Sequence, residues 1–410
     1  MLREILHCDM NNFYASVECM LNPSLRGYPI AVGGDVENRH GIILAKNEIA
    51  KACGVKTAQP IYMAQKLCPD LMIVPPHFDA YVYYSRCAHA IYQSVTDLIE
   101  PFGMDESWLD VTGSSLLGSP RDIADRLRSK IRRELGLSIS VGVSFNKIFA
   151  KLGSDLKKPD ATTEIRYENF QESIWNLPAS LLLGVGDSTA KLLATHRIRT
   201  IGELACAPEK WLYTLLGKMG PVLKRYAAGE ENSAVVPKDY ESPLKSIGHG
   251  VTTREDLTEQ GEVRDLIILL SQDVGTRLRR YEMLAGSIAV DIRDTTLRRQ
   301  SFQVQLPYQS NNSRLLAAEA YSLFQRSYQW EAAIRSVSVR AFSLFSKKEQ
   351  KPVDFLSGYM ADHRACTLDK TVDSIRHRFG ESALLPAAML HNGKFPTDRS
   401  FEITLPNERL

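Results

Sequence analysis

The order of apolar and polar positions divides the chain into strand-like and helix-like stretches. Leu2 to Asp9 is a short apolar run ending on a carboxylate, as a buried strand does. Asn12 to Met20 has helical spacing and is stopped by Asn22-Pro23 and Gly27-Tyr28-Pro29. Pro29 to Gly33 and Gly41 to Ala45 read as strands. Glu48 to Cys53, with Gly54 just beyond, predicts a helix closed by a C-terminal glycine, and Pro60 to Leu67 predicts another. From Asp79 to Ile99 apolar and aromatic residues recur at helical spacing. Pro101-Phe102-Gly103 then turns the chain into Met104 to Val111, a strand that carries acids. Arg121 to Leu135 is an amphipathic helix with a basic wet face, Ser138 to Ser144 alternates as a strand, and Asn146 to Leu156 returns to helix. This succession predicts a mixed α+β platform.

After about Glu168 the pattern changes. Trp175 to Ala228 is helical, broken by Gly184-Val185-Gly186 and by Gly217-Lys218-Met219-Gly220. Gly229 to Leu244 has few periodic apolar positions and reads as a linker. Lys245 to Phe345 alternates strand and helix in a second α+β unit. Ser346 to Pro352 is linker-like, and Thr367 to Gly380 predicts an amphipathic helix with a basic end. At 410 residues the chain is too long for one core and suggests two to four domains.

Composition narrows the function by exclusion. No apolar run approaches the roughly 20 residues that span a bilayer, and the N-terminus reads as a first strand and not a signal peptide, so a cytoplasmic protein is expected. The seven cysteines are scattered without a C-x-x-C, which argues against zinc knuckles and a disulfide framework. Net charge is only +2, so any phosphate-binding surface must come from uneven placement of charge.

Three acids stand at suggestive places. Asp9 closes the first strand, and Asp105 and Glu106 are adjacent inside another. Neighbouring carboxylates in an apolar strand are expensive unless neutralised, and they can serve one site only near a strand end or kink. A pair of Mg²⁺ ions is a natural neutraliser, because Mg²⁺ prefers oxygen ligands and works with carboxylates and phosphates together. Taken alone, the pair is better read as turn or salt-bridge residues than as a metal site.

The neighbouring residues decide. Asp9 opens D-M-N-N-F-Y-A-S-V-E, Asp105 and Glu106 lie in M-D-E-S-W-L-D, and residues 141–159 read V-G-V-S-F-N-K-I-F-A-K-L-G-S-D-L-K-K-P. These three motifs, in this order, resemble the Y-family of DNA polymerases, the bacterial polymerase IV and polymerase V catalytic-subunit group, over residues 1 to about 345. The resemblance implies a right-hand polymerase with an α+β fold: palm 1–13 and 78–168, fingers 14–77, a helix-hairpin-helix thumb 169–232, linker 233–244, little finger 245–345 and a C-terminal tail 346–410. It implies catalysis by Asp9, Asp105 and Glu106 with two Mg²⁺ ions (Mn²⁺ as substitute), the Met10 carbonyl being a further ligand. Tyr14 stands at the steric-gate position beside Phe13, and Lys158 matches the palm lysine that meets the incoming triphosphate. In the fingers, where the family usually has tyrosine and arginine, this chain has Glu48 and Lys51. Lysine keeps the charge without the bidentate fork, and Glu48 would repel a triphosphate, so Lys51 alone is assigned to the deoxynucleotide. Ile42 and Leu44 occupy the roof over the nascent base pair.

Primer-template DNA is the implied partner of a monomeric enzyme. Gly184 and Gly186 resemble the thumb hairpin, whose exposed backbone N–H groups and following helix N-terminus suit a phosphate. Ser246, His249 and Thr252 lie in a stretch like the opening strand of the little finger, and Arg335 and Arg340 in one like its closing strand. Arg277, Arg279, Arg280, Arg293, Arg298 and Arg299 are strung between them. Gln350, Val353 and Phe355 resemble a sliding-clamp peptide. Ala45-Lys46-Asn47 and the long tail lean towards the polymerase V side. A different reading is a DNA-binding accessory protein on the same fold that has lost catalysis; the three intact acids speak against it. A palm-type nucleotide cyclase would share the two-metal carboxylates but needs neither thumb nor little finger.

Overall fold

A computed structural model of the chain describes residues 2–34, 41–237, 240, 243–349, 359–380, 383–387 and 394. It forms two compact units, one from the described residues of Met1–Gly34 and Ile42–Tyr240, the other from those of Glu241–Glu402.

The first unit is built on a five-stranded sheet in the order β5-β6-β1-β7-β8. These strands are β1 (Ile5–Met10), β5 (Ile99–Pro101), β6 (Glu106–Asp110), β7 (Ile139–Ser144) and β8 (Thr162–Ile165). β1 is wholly buried and lies antiparallel between β6 and β7, while β8 runs parallel to β7. Helices α1 (Phe13–Leu21), α4 (Phe78–Tyr92) and α5 (Pro120–Leu135) contribute to one core with the sheet. α5 starts at a capping box between Ser119 and Asp122, which fixes its first turn. α6 (Lys147–Leu156) is N-capped by Asn146.

Residues 14–77 add a small sheet in the order β3-β2-β4, from β2 (Ile30–Gly33), β3 (Ile43–Lys46) and β4 (Met72–Val74), with helices α2 (Glu48–Ala52) and α3 (Ile61–Leu67). Asn47 organises this region. Its side chain accepts from the N–H groups of Ala50 and Ile30 and donates to the Tyr28 carbonyl. A helical cluster follows: α7 (Phe170–Ile174), α8 (Asp187–Thr195), α9 (Ile201–Cys206), α10 (Glu209–Leu216) and α11 (Met219–Ala227).

The second unit is a four-stranded antiparallel sheet in the order β11-β10-β12-β9, from β9 (Ser246–Leu257), β10 (Met283–Asp294), β11 (Arg299–Ser310) and β12 (Ile334–Ser346). Helices α12 (Gln260–Arg280) and α13 (Ser313–Ser327) share a core with one face of it. α14 (Tyr359–Phe379) belongs to the same unit and extends further towards the N-terminus than the pattern predicts. Arg279, almost wholly buried, pairs with Asp369 at 2.9 Å and Asp373 at 2.6 Å and so ties α14 to α12.

Three expectations need correcting. The helical pattern of Asp79 to Ile99 covers two elements: α4 ends at Tyr92, and Ile99 begins β5, paired with Leu109. Between them Thr96 donates to the Asp110 carbonyl and accepts from the Leu98 N–H, a side-chain turn that competes with helix. Gly217–Gly220 is not one break, since α11 already starts at Met219. A Cβ at Gly220 would lie 2.2 Å from the Leu212 carbonyl oxygen, so glycine is there to let α10 and α11 meet. Strands β4 and β8, absent from the expected order, complete two of the sheets.

Candidate active site and nucleic-acid face

Period two along β1 puts His7 and Asp9 on one face of the sheet. The register then sets Asp9 opposite Glu106, the first residue of β6. Asp105 lies just outside the strand, where its carbonyl accepts from the Met10 N–H at 2.9 Å. That strand-end position meets the condition under which adjacent acids can turn to one site. His7, Asp9 and Glu106 can each offer a ligand atom within 4.8 Å of one another; Asp105 is not in that set but stands close enough for its charge to be felt.

The electrostatics split the pair. Burial, then the charges of Glu106 and Asp9, push the Asp105 carboxyl up to about 6. Burial also works against ionised Glu106, but the Lys151 ammonium beside it outweighs burial and holds the carboxyl below its ordinary range. His7 is fully buried, and burial with the nearby Lys151 charge lowers its pKa despite Glu106 and Asp9. Ser154 Oγ donates to the Lys151 carbonyl at 2.7 Å and can therefore only accept from His7 Nδ1, 2.9 Å away. The Nε2 lone pair is left facing Glu106 Oε2 at 3.3 Å with no hydrogen bond between them, and Lys151 Nζ stands 2.9 Å from the same oxygen. Two acceptors face to face favour a cation between or beside them. Together with the oxygen donors of Asp9 and Asp105, this set fits a divalent ion of the Mg²⁺ type better than a thiophilic one.

Two lysines neutralise the acids. Lys151 Nζ lies 3.1 Å from Asp9, 2.9 Å from Glu106 and 3.2 Å from Asp155. Lys158 Nζ lies 2.7 Å from Asp9 and 2.9 Å from Asp155. Burial disfavours both ammonium groups, yet these carboxylates, Asp9 foremost, raise both pKa values. The loop of Lys158 is pinned by Asn11, which accepts from the Asp160 N–H at 2.8 Å and donates to Ser140 at 2.9 Å. Arg128 and Arg132 hold the Asp160 carboxylate from the other side.

Asp105→Asn is expected to stabilise the metal-free protein at pH 7.5 by about 1–3 kcal/mol. The sign follows from a carboxyl raised in the fold: its burden grows as pH rises from the unfolded value through about 6. Urea midpoints with a chelator at pH 7.5 and pH 4 check it; the gain must shrink towards pH 4.

Tyr14 is half-buried, stacks on Tyr81 at 4.2 Å and 8°, and reaches Met104 Sδ with its hydroxyl. Phe13, expected beside it at the nucleotide, is instead buried in the core under the sheet, because successive helix residues point apart. Lys51 is exposed on α2, 3.5 Å from Glu48, whose carboxylate also accepts from Asn12 at 2.9 Å. Met10 closes β1 with its side chain in the core.

In the helical cluster the Gly184–Gly186 turn leads into α8. Gly184 has φ +91°, open to glycine, and Gly186 is the N-cap, with open space where a Cβ would stand. In the second unit the sheet face away from α12 and α13 is polar and small-residued. Ser246, Gly248, Gly250 and Thr252 of β9 pair with Phe342, Arg340, Ser338 and Ser336 of β12. Arg335 sits at a bulge beside this row. His249 belongs to the other face: alternation turns it towards the helices, and its Nδ1 lies 2.9 Å from Asp273. Arg279 is likewise taken up by α14, and Arg298 pairs with Glu331 at 3.1 Å. Gln350, Val353 and Phe355 lie outside the described residues.

His7, Asn11 and Asp155 are site neighbours that sequence reasoning missed, and Lys151 went without a role. Signals existed: His7 is two residues before Asp9 on a strand, and Lys151 and Asp155 share a helix face at i, i+4.

The impB/mucB/samB family matches residues 8–155, and its C-terminal domain matches residues 244–355. DNA polymerase IV of Acetivibrio thermocellus is 44% identical over 381 residues, covering 93% of this chain and 96% of its own. DNA polymerase IV 1 of Bacillus subtilis is 34% identical over 390 residues, covering 95% and 93%. These names go against the expected lean towards polymerase V. A solved Y-family DNA polymerase chimera, 22% identical, superposes with a TM-score of 0.73 over 84% of this chain and 99% of its own, which shows the fold. No helix among the described residues is long and apolar enough to cross a membrane. The chain belongs to the impB/mucB/samB family, the Y-family DNA polymerases of translesion synthesis.

Proposed function

We propose that Asp9, Asp105 and Glu106 form the centre at which this polymerase joins deoxynucleotides to a primer 3′ end. The observation that carries the reading is the meeting of the β1 end with the β6 start, which sets Asp9 opposite Glu106 with Asp105 beside them. These carboxylates and the Met10 carbonyl would hold two Mg²⁺ ions, which when bound activate the primer hydroxyl and neutralise the leaving pyrophosphate. The protein's own part is positioning and charge. Lys158 and Lys151, paired with Asp9 and Asp155, are placed to turn to triphosphate oxygens, and Lys51 on α2 supplies a further exposed cation. The stacked ring of Tyr14 would close the space that a ribose 2′-hydroxyl needs.

In this reading residues 1–13 and 78–168 are the palm, 14–77 the fingers, 169–232 the thumb and 245–345 the little finger. The Gly184–Gly186 turn and the open sheet face with Ser246, Thr252, Arg335 and Arg340 would track the DNA backbone without reading bases. Gln350, Val353 and Phe355 would add a sliding-clamp contact in a cytoplasmic, monomeric enzyme.

A primed template with Mg²⁺ and single deoxynucleotides tests the function. The nucleotide complementary to the template base should be added, and chelation should stop the reaction reversibly. Binding of primed DNA without extension would favour the accessory-protein reading. Tyr14→Ala should lower discrimination against ribonucleotides at least about a hundredfold, the equivalent of roughly 3 kcal/mol of steric exclusion, measured as the ratio of incorporation efficiencies.

A further inference from the structure

The core face of α4 is a stripe of Phe78, Tyr81, Ser85, Ala88, His89 and Tyr92, and all but Phe78 are buried. Apolar side chains would satisfy such a face, so Ser85 and His89, 0% and 4% exposed, call for a reason. Both reach across to the segment that carries the adjacent acids. Ser85 Oγ donates to the carbonyl of Met104, the residue before Asp105. His89 Nδ1 lies 2.8 Å from the Ser85 carbonyl, which can only accept, so the proton is on Nδ1 and Nε2 carries the lone pair. Ser107 Oγ, on the residue after Glu106, donates to that Nε2 at 3.1 Å. On the other side the Asp105 carbonyl is held by the Met10 N–H at 2.9 Å.

The two α4 hydrogen bonds therefore bracket Asp105-Glu106, one residue to each side, while β1 fixes the middle. Left alone, adjacent buried carboxylates repel and would swing the strand start away from Asp9. We propose that Ser85 and His89 are positioning residues: with Ser107 they hold the start of β6 so that Asp105 and Glu106 converge with Asp9 before any divalent ion arrives. This rests on the assignment of those acids as the metal centre. Hydrogen bonds behind metal ligands commonly govern affinity by about 10–100-fold. Met104 links the same clamp to Tyr14, whose hydroxyl meets its sulfur.

The test uses Ser107→Ala and Ser85→Ala, each of which removes one oxygen and keeps the packing, together with His89→Leu. Mn²⁺ binding to the full chain with primed DNA is read by the spin signal of the free ion, beside the Mg²⁺ dependence of extension and the affinity for primed DNA. Ser107→Ala and Ser85→Ala should each weaken Mn²⁺ binding about tenfold or more and raise the Mg²⁺ concentration for half-maximal rate in parallel, with DNA affinity unchanged. His89→Leu combined with Ser107→Ala should cost no more than the worse single change, because both cut the same bond. Unchanged Mn²⁺ affinity in both serine variants would overturn the inference. If Asp105→Ala with Glu106→Ala also left Mn²⁺ affinity unchanged, the metal-centre assignment itself would fall, so the two failures are distinguishable.

Discussion

Replacing Asp105 and Glu106 together by alanine is expected to lower the rate of single-nucleotide addition at least about a thousandfold, while affinity for primed DNA stays within about threefold. The scale follows from what the acids do. Preorganised charge at a reacting centre contributes about 2.7–4 kcal/mol per group removed, and here two groups go at once. The DNA term is separate, since phosphate contacts dominate nucleic-acid affinity, and the candidate contacts lie at the Gly184–Gly186 turn and on the open sheet of the second unit. The variant should also fold. Burial and the neighbouring acids disfavour the Asp105 carboxylate, so its loss relieves the fold, and Lys151 keeps Asp9 and Asp155 as partners when Glu106 goes. Incorporation under saturating nucleotide, with DNA affinity by fluorescence anisotropy, measures both quantities. Near-normal incorporation by the double variant would remove these residues from the chemistry. A parallel collapse of DNA binding would instead point to a misfolded first unit.

Much of this site was legible because its residues sit where one-dimensional signals are strongest. Asp9 ends an apolar run, Asp105 and Glu106 interrupt one, and strand register alone brings Asp9 opposite Glu106. Asn146 before Lys147 is a helix start that sequence reading finds for a local physical reason, its side chain accepting from the Phe149 N–H. What was not legible lies in tertiary contact. Nothing in F-D-A-Y-V-Y-Y-S-R-C-A-H says that Ser85 and His89 will meet residues around position 105, because the pairing depends on how α4 packs on the sheet. β4 and β8 are short, and each gains its place from a parallel neighbour, β2 or β7, that local pattern does not reveal. His249 was misplaced because its motif was read without its face. Alternation from the buried Ile247 would have turned it towards the helices.

Gly142→Ala should be the most disruptive single methyl in the chain's first unit. Gly142 lies in the middle of β7, paired with His7 of β1 and Thr163 of β8, and α6 crosses directly over it. A Cβ there would stand 1.9 Å from the Ala150 carbonyl oxygen, 2.5 Å from the Ser154 amide nitrogen and 2.9 Å from the Gly153 carbonyl carbon. All three are backbone atoms, so no rotamer change relieves the clash, and α6 must move as a body. Overpacking typically costs 1–3 kcal/mol where side chains can yield; here about 3 kcal/mol or more is expected. Gly113→Ala is the matched control, since a Cβ there meets nothing within 4 Å and it should change stability by less than about 0.5 kcal/mol. Urea unfolding midpoints compare the two, and equal midpoints would show that β7 and α6 do not approach so closely. The site feels the same displacement. α6 carries Lys151 and Asp155, and Ser154 on it holds the His7 ring. Whatever fraction of Gly142→Ala folds should therefore extend primers with a raised KM for the deoxynucleotide, a defect that Gly113→Ala should not share.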